Sequence, residues 1–128
     1  MSEARFATGK ALRIDGCYSE AIAVLTALLT DVPDHAAARL QLGLAQVFSG
    51  DFDGGQVTME QAVALAPTDA EARYQLAMLY AMLGRYAESV ASFTALQSLG
   101  PPENPYVAEA IRQLAFFAET PPHGRDGK

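Results

Sequence analysis

The chain has 128 residues, half of them apolar, which is enough for one domain with a continuous core and is ordinary globular composition. Fifteen acids against nine bases leave a formal net charge of −6, with Lys10 and Lys128 the only lysines, and this argues against nucleic-acid binding, which needs clustered Lys and Arg. The single cysteine, Cys17, rules out an internal disulfide and suits a reducing, cytoplasmic setting; no apolar run of a signal peptide follows Met1, and no stretch is long enough to span a membrane.

A first helix is expected over residues 3–14, ended by Gly16, where a left-handed backbone closes the turn. A second follows over 18–31 and stops at Pro33, which cannot continue a helix. The pattern then returns. Helices over 35–48 and 52–65 flank Gly50 and end at Pro67, and helices over 69–82 and 86–99 flank Gly84 and end at Pro101. Asp34 and Asp69 are placed to cap the third and fifth helices. After Pro102 a seventh helix spans 105–118, in phase with the earlier first helices and without a partner. The tail over 120–128, with Pro121, Pro122, Gly124 and Gly127, is expected to be disordered.

Three markers share one period. Gly16, Gly50 and Gly84 are 34 residues apart, as are Tyr18, Phe52 and Tyr86, and Pro33, Pro67 and Pro101. Leu42 and Leu76 lie beside small Gly43 and Ala77 on first helices. Small Ala21, Gly55 and Ser89 precede bulky Leu25, Met59 and Phe93 by one turn on second helices. This spacing of leucine, small residue, aromatic, small residue, bulky apolar residue and proline resembles the tetratricopeptide repeat. Its clearest copy is Leu76, Ala77, Tyr80, Gly84, Tyr86, Ser89, Phe93 and Pro101. Thr8 departs from the pattern in the first unit and Gln46 in the second, and the adjoining Gly54 and Gly55 weaken the start of the fourth helix.

The resemblance implies an all-α, right-handed α-solenoid of three helix-turn-helix units plus a capping helix, seven helices in all. The repeats are expected at 2–35, 36–69 and 70–103, within a domain over 1–119. It also implies that first helices line a concave groove that binds peptides or partner helices. Helical spacing puts Phe6, Lys10, Arg13 and Ile14 of the first helix on that face, and Leu40, Leu44, Val47 and Phe48 of the third. Tyr74, Met78, Ala81 and Met82 follow on the fifth, and Ala108, Arg112, Ala115 and Phe116 on the seventh. The stripe is mostly apolar, and large exposed apolar patches on soluble proteins mark binding sites; the alternative is that these residues are extra core between tightly curved helices, which suits Ala81 and Ala115 best and Phe48, Tyr74 and Met82 worst. Lys10 and Arg13, with Arg112 on the last helix, are placed either to meet acidic residues beside an apolar ligand segment or to stand as solvated charges at the groove's rim.

The function expected is therefore protein–protein interaction, as an adaptor, scaffold or chaperone-like module that binds an apolar segment of a partner. The alternative is self-assembly, with the groove filled by a second copy in a homodimer or by the chain's own tail. Some family members hold the acidic tails of heat-shock chaperones with a clamp of Lys, Asn and Arg. Those places carry Phe6, Lys10, Leu44, Tyr74 and Met78 here, so no such binding is expected. The apolar groove more closely resembles the small three-repeat chaperones of bacterial secretion systems. No enzyme activity, cofactor or metal is expected. His35 and His123 lack ligand spacing and read as solvated side chains. Cys17 has no basic neighbour to activate it. The run from Asp51 to Gly55 lacks the twelve-residue pattern of a calcium loop, so Asp51 and Asp53 read as charges at a helix start.

Overall fold

The computed structural model describes residues 2–119. Seven helices run α1 (Ser2–Ile14), α2 (Tyr18–Asp31), α3 (Ala36–Phe48), α4 (Phe52–Leu65), α5 (Ala70–Met82), α6 (Tyr86–Gln97) and α7 (Pro105–Glu119). No strand occurs among the described residues, and every boundary lies within two residues of its expected place. The tail expected to be disordered lies outside the described residues.

The repeated glycines do the same work three times. Gly16, Gly50 and Gly84 have φ of 85°, 102° and 79°, a left-handed conformation that other residues adopt at a cost. Each reversal satisfies carbonyls at the helix end. Cys17, Asp51 and Arg85 donate their N–H groups back to the carbonyls of Leu12, Gln46 and Tyr80, each at 2.8 Å. The glycine N–H groups bond to Arg13, Val47 and Ala81, completing a Schellman closure.

Helix starts vary more. Asp69 caps α5 as expected, accepting from Glu71 and Ala72, and Asn104 caps α7 by accepting from Tyr106 and Val107. At α3 the expectation is corrected: His35, not Asp34, is the cap, its Nδ1 accepting from Ala38 N–H at 3.1 Å. The His35 ring also stacks on Phe6 with centroids 5.2 Å apart. It is thus a structural side chain rather than merely a solvated one.

The helices gather into two units that divide after Pro67. In the first, α1–α4, the core is built on Ala21, Leu25, Leu28, Leu29, Ala38 and Ala45, with Leu12, Ile22 and Leu42 packed against it. Full burial of a leucine such as Leu25 or Leu28 contributes about 1.5–3 kcal/mol. Small residues bring α3 and α4 together at Gly43 and Gly55. The second unit, α5–α7, is centred on Phe93, Leu96, Ala77, Val107 and Ala110. Ser89 is fully buried there and donates its hydroxyl to the Ala77 carbonyl at 2.9 Å, so its polarity is satisfied. Helix α7 caps α6 by burying Val107 and Ala110, and Phe117 packs edge-on against Tyr86.

Candidate protein-binding surface

The sixteen stripe residues separate by position in the repeat. At the first position, Leu40 is buried, while Phe6, Tyr74 and Ala108 are half-buried. Phe6 is held by His35, and Tyr74 packs against Phe93 and Tyr106. At the second, Leu44 is buried, Met78 half-buried, and Lys10 and Arg112 exposed. At the third, Val47 is buried, Arg13 and Ala81 half-buried, and Ala115 exposed. Leu40, Leu44 and Val47 thus belong to the protein interior, and the expectation that they present an open contact surface is corrected.

The fourth position behaves differently in every copy. Ile14, Phe48, Met82 and Phe116 are 62%, 54%, 59% and 55% exposed. Successive members are 34 residues apart. Ile14, Phe48 and Met82 are the last residues of α1, α3 and α5, each two residues before a left-handed glycine. Helical side chains lean toward the N-terminus, and at the final residue no further turn follows to flank them. In the first unit Phe48 stacks on Tyr18 at 5.8 Å, which orients its ring and leaves most of it open. In the second, Phe116 lies beside the core residue Phe117, with ring centroids 5.8 Å apart.

The cations differ in how they are held. Arg13 donates through Nε to the buried Gln41 at 2.8 Å. Arg112 is engaged by Glu109 through Nε at 3.0 Å and Nη2 at 2.6 Å. Hydrogen bonds from Gln113 and Arg112 hold the Glu109 carboxyl below its usual range. Arg112 therefore carries a local counter-ion that the sequence reading did not assign to it.

The remaining candidates have structural places. Asp51 caps α4, accepting from Gly54 N–H at 2.9 Å. Cys17 occupies the cap position of α2 without a side-chain capping bond, and burial and the nearby Glu20 push its thiol above the ordinary value. A raised pKa opposes nucleophilic use. His123 lies outside the described residues. Among the described residues no three His, Cys, Asp or Glu side chains gather as metal ligands, and no helix is long and apolar enough to cross a membrane.

A family model described as "Tetratricopeptide repeat" matches residues 6–47 and 40–104. No curated protein sequence gives a match. Among solved structures, PcrH in complex with the chaperone-binding region of PopD is 18% identical, with a TM-score of 0.83 over 91% of this chain and 90% of that one. The Yersinia enterocolitica type III secretion chaperone SycD, in complex with a peptide of the translocator YopD, is 18% identical, with a TM-score of 0.78 over 91% and 88%. The first repeat domain of Spaghetti (RPAP3), bound to the HSP90 peptide SRMEEVD, is 19% identical, with a TM-score of 0.80 over 92% and 93%. At these identities the likeness is one of fold.

Proposed function

The chain belongs to the tetratricopeptide-repeat family, and on that premise we propose that it is a non-catalytic interaction module that binds an apolar peptide or helix of another protein. One observation carries this reading. Large apolar residues recur at one repeat position, Ile14, Phe48, Met82 and Phe116, and all are more than half exposed. Core packing does not account for side chains left in water four times at a fixed period, two in each unit, whereas an apolar ligand segment bound to either unit would cover them. Three similar folds are solved with peptides or binding regions of other proteins, which supports polypeptide as the ligand class.

The chemistry at the surface favours an apolar segment over an acidic chaperone tail. Of the places a carboxylate clamp would use, Phe6, Lys10, Leu44, Tyr74 and Met78, only Lys10 carries a charge. A lone cysteine favours a cytoplasmic setting for the proposed role.

The test is binding of labelled amphipathic peptides, with leucine at helical spacing, to the full chain, followed by fluorescence polarisation. Phe48→Asp in the first unit combined with Met82→Asp in the second places a charge among the exposed apolar residues of each, where desolvating it is costly. This pair should abolish binding while helicity and melting stay close to the parent. Unchanged affinity in a folded double variant would reject the surface. Light scattering on the free chain tests the alternative partner, since a dimer broken by the same substitutions would make that partner a second copy.

A further inference from the structure

The cations of the first unit are unevenly satisfied. Arg5 pairs with Asp31 at 2.8 Å, and Arg39 donates to the Pro33 carbonyl and to Gln61. Lys10 is exposed, with no hydrogen-bond or ion-pair partner among the described residues. Arg13, three residues further and so on the same helix face, bonds through Nε to the buried Oε1-bearing side chain of Gln41. That bond fixes the guanidinium plane. It leaves the paired Nη edge, whose geometry matches a carboxylate, without a partner among the described residues.

Two cations at these positions occur on no other first helix; α7 keeps one, Arg112, which Glu109 already engages. One repeat on, the same two positions are Leu44 and Val47, and one further they are Met78 and Ala81. The same two helices that hold Arg13 and its partner Gln41 end in exposed apolar residues, Ile14 of α1 and Phe48 of α3. The second helices of this unit carry only acids, Glu20 and Asp31 on α2, Asp53 and Glu60 on α4. In a chain of net charge −6, a segment with two unmatched cations next to apolar side chains is a local inversion of the field.

Resting on the function proposed above, we propose that this part of the surface receives acidic side chains of the bound polypeptide. Arg13 takes one Asp or Glu carboxylate on its Nη edge and Lys10 takes a second about one helical turn away. Apolar residues of the same segment cover Ile14 and Phe48. The occupant is thus an amphipathic segment of another protein with two acidic side chains along the edge of its apolar face. A second copy is a poorer fit, because like net charges oppose self-association.

The full chain is titrated with three labelled, C-terminally amidated amphipathic peptides that share the same leucines and carry two Glu, two Gln or two Lys at one edge. The Glu peptide should bind about tenfold tighter than the Gln peptide at low salt, and the gap should shrink as salt rises. Lys10→Glu alters an exposed side chain and leaves folding intact; it should reverse the order of the Glu and Lys peptides. Arg13→Lys keeps the charge but loses the fixed fork, and should remove part of the Glu preference. Equal binding of all three peptides overturns this inference and leaves the proposed function standing. So does a Glu preference that survives both substitutions, or one that appears only with a free C-terminal carboxylate. Dimerisation of the free chain that Lys10→Glu abolishes would likewise overturn it. If none of the leucine peptides binds, both readings fall.

Discussion

Gly43 and Gly55 face each other across the contact of α3 with α4: a Cβ on Gly55 would sit 3.0 Å from the Gly43 carbonyl oxygen, and one on Gly43 3.3 Å from that of Gly55. Sequence reasoning counts Gly55 as a helix-weakening residue. In the folded chain it allows two backbones to approach, and the Val47 side chain and backbone fill the space that a methyl group would need. Gly55→Ala is therefore expected to destabilise by about 1–3 kcal/mol through overpacking, although alanine alone would favour the helix by about 1 kcal/mol. Urea unfolding of the variant decides between the two terms by the sign of the shift.

Gln46 offers the opposite case. Its Oε1 is buried without a hydrogen-bond partner among the described residues. The corresponding residues of the other first helices are Leu12, Tyr80 and Leu114. An unpaired buried oxygen costs about 1–3 kcal/mol of desolvation, so Gln46→Leu should raise stability by about 1 kcal/mol, with helicity unchanged. Thermal and urea unfolding measured together would check it; a loss of stability would mean that the amide is satisfied by solvent.

The period of 34 made the helices, turns and family legible, because three kinds of marker, Gly16, Tyr18 and Pro33 with their copies, agree on phase. The candidate site was legible only in part. Helical spacing puts Leu40, Leu44, Val47 and Phe48 on one stripe, but a stripe does not say how deeply neighbouring helices close over it. The first three are buried and Phe48 is not, because Phe48 ends its helix. The nearby turn glycine, Gly50, was the available signal. Local side-chain choices also escaped the sequence: His35 caps α3 in place of its neighbour Asp34, and Arg112 turns to Glu109. Each depends on a rotamer rather than on periodicity.

Cys17 caps α2 without a capping bond from its side chain, whereas Asp51 in the next repeat accepts from Gly54 N–H. A serine hydroxyl accepts such bonds readily, so Cys17→Ser should stabilise by about 0.5–1 kcal/mol. The parent thiol should also alkylate slowly near neutral pH. Its pKa is raised, by burial and by Glu20, so the reactive thiolate is scarcer at a given pH than on a free cysteine and its rate should climb at higher pH than that of a free thiol. Iodoacetamide labelling across pH measures this. A rate profile displaced to lower pH would contradict the assigned environment.

Leu44 and Phe48 lie one turn apart on α3, yet the first is buried and the second mostly in solvent. Their responses to the same substitution should therefore diverge. Leu44→Asp would bury an unpaired carboxylate and remove core packing, and should cost at least about 3 kcal/mol. Phe48→Asp forfeits its stacking on Tyr18, a term of about 0.5–1.5 kcal/mol, and should leave the helices formed. Unfolding curves give the first contrast and peptide binding the second. Phe48→Asp should weaken binding far more than its small stability loss can explain, because desolvating the new carboxylate against an apolar ligand is paid only in the complex. If Phe48→Asp instead unfolds the chain as readily as Leu44→Asp, the aromatic ring is core, and the repeated exposure of Ile14, Phe48, Met82 and Phe116 loses its meaning as a binding surface.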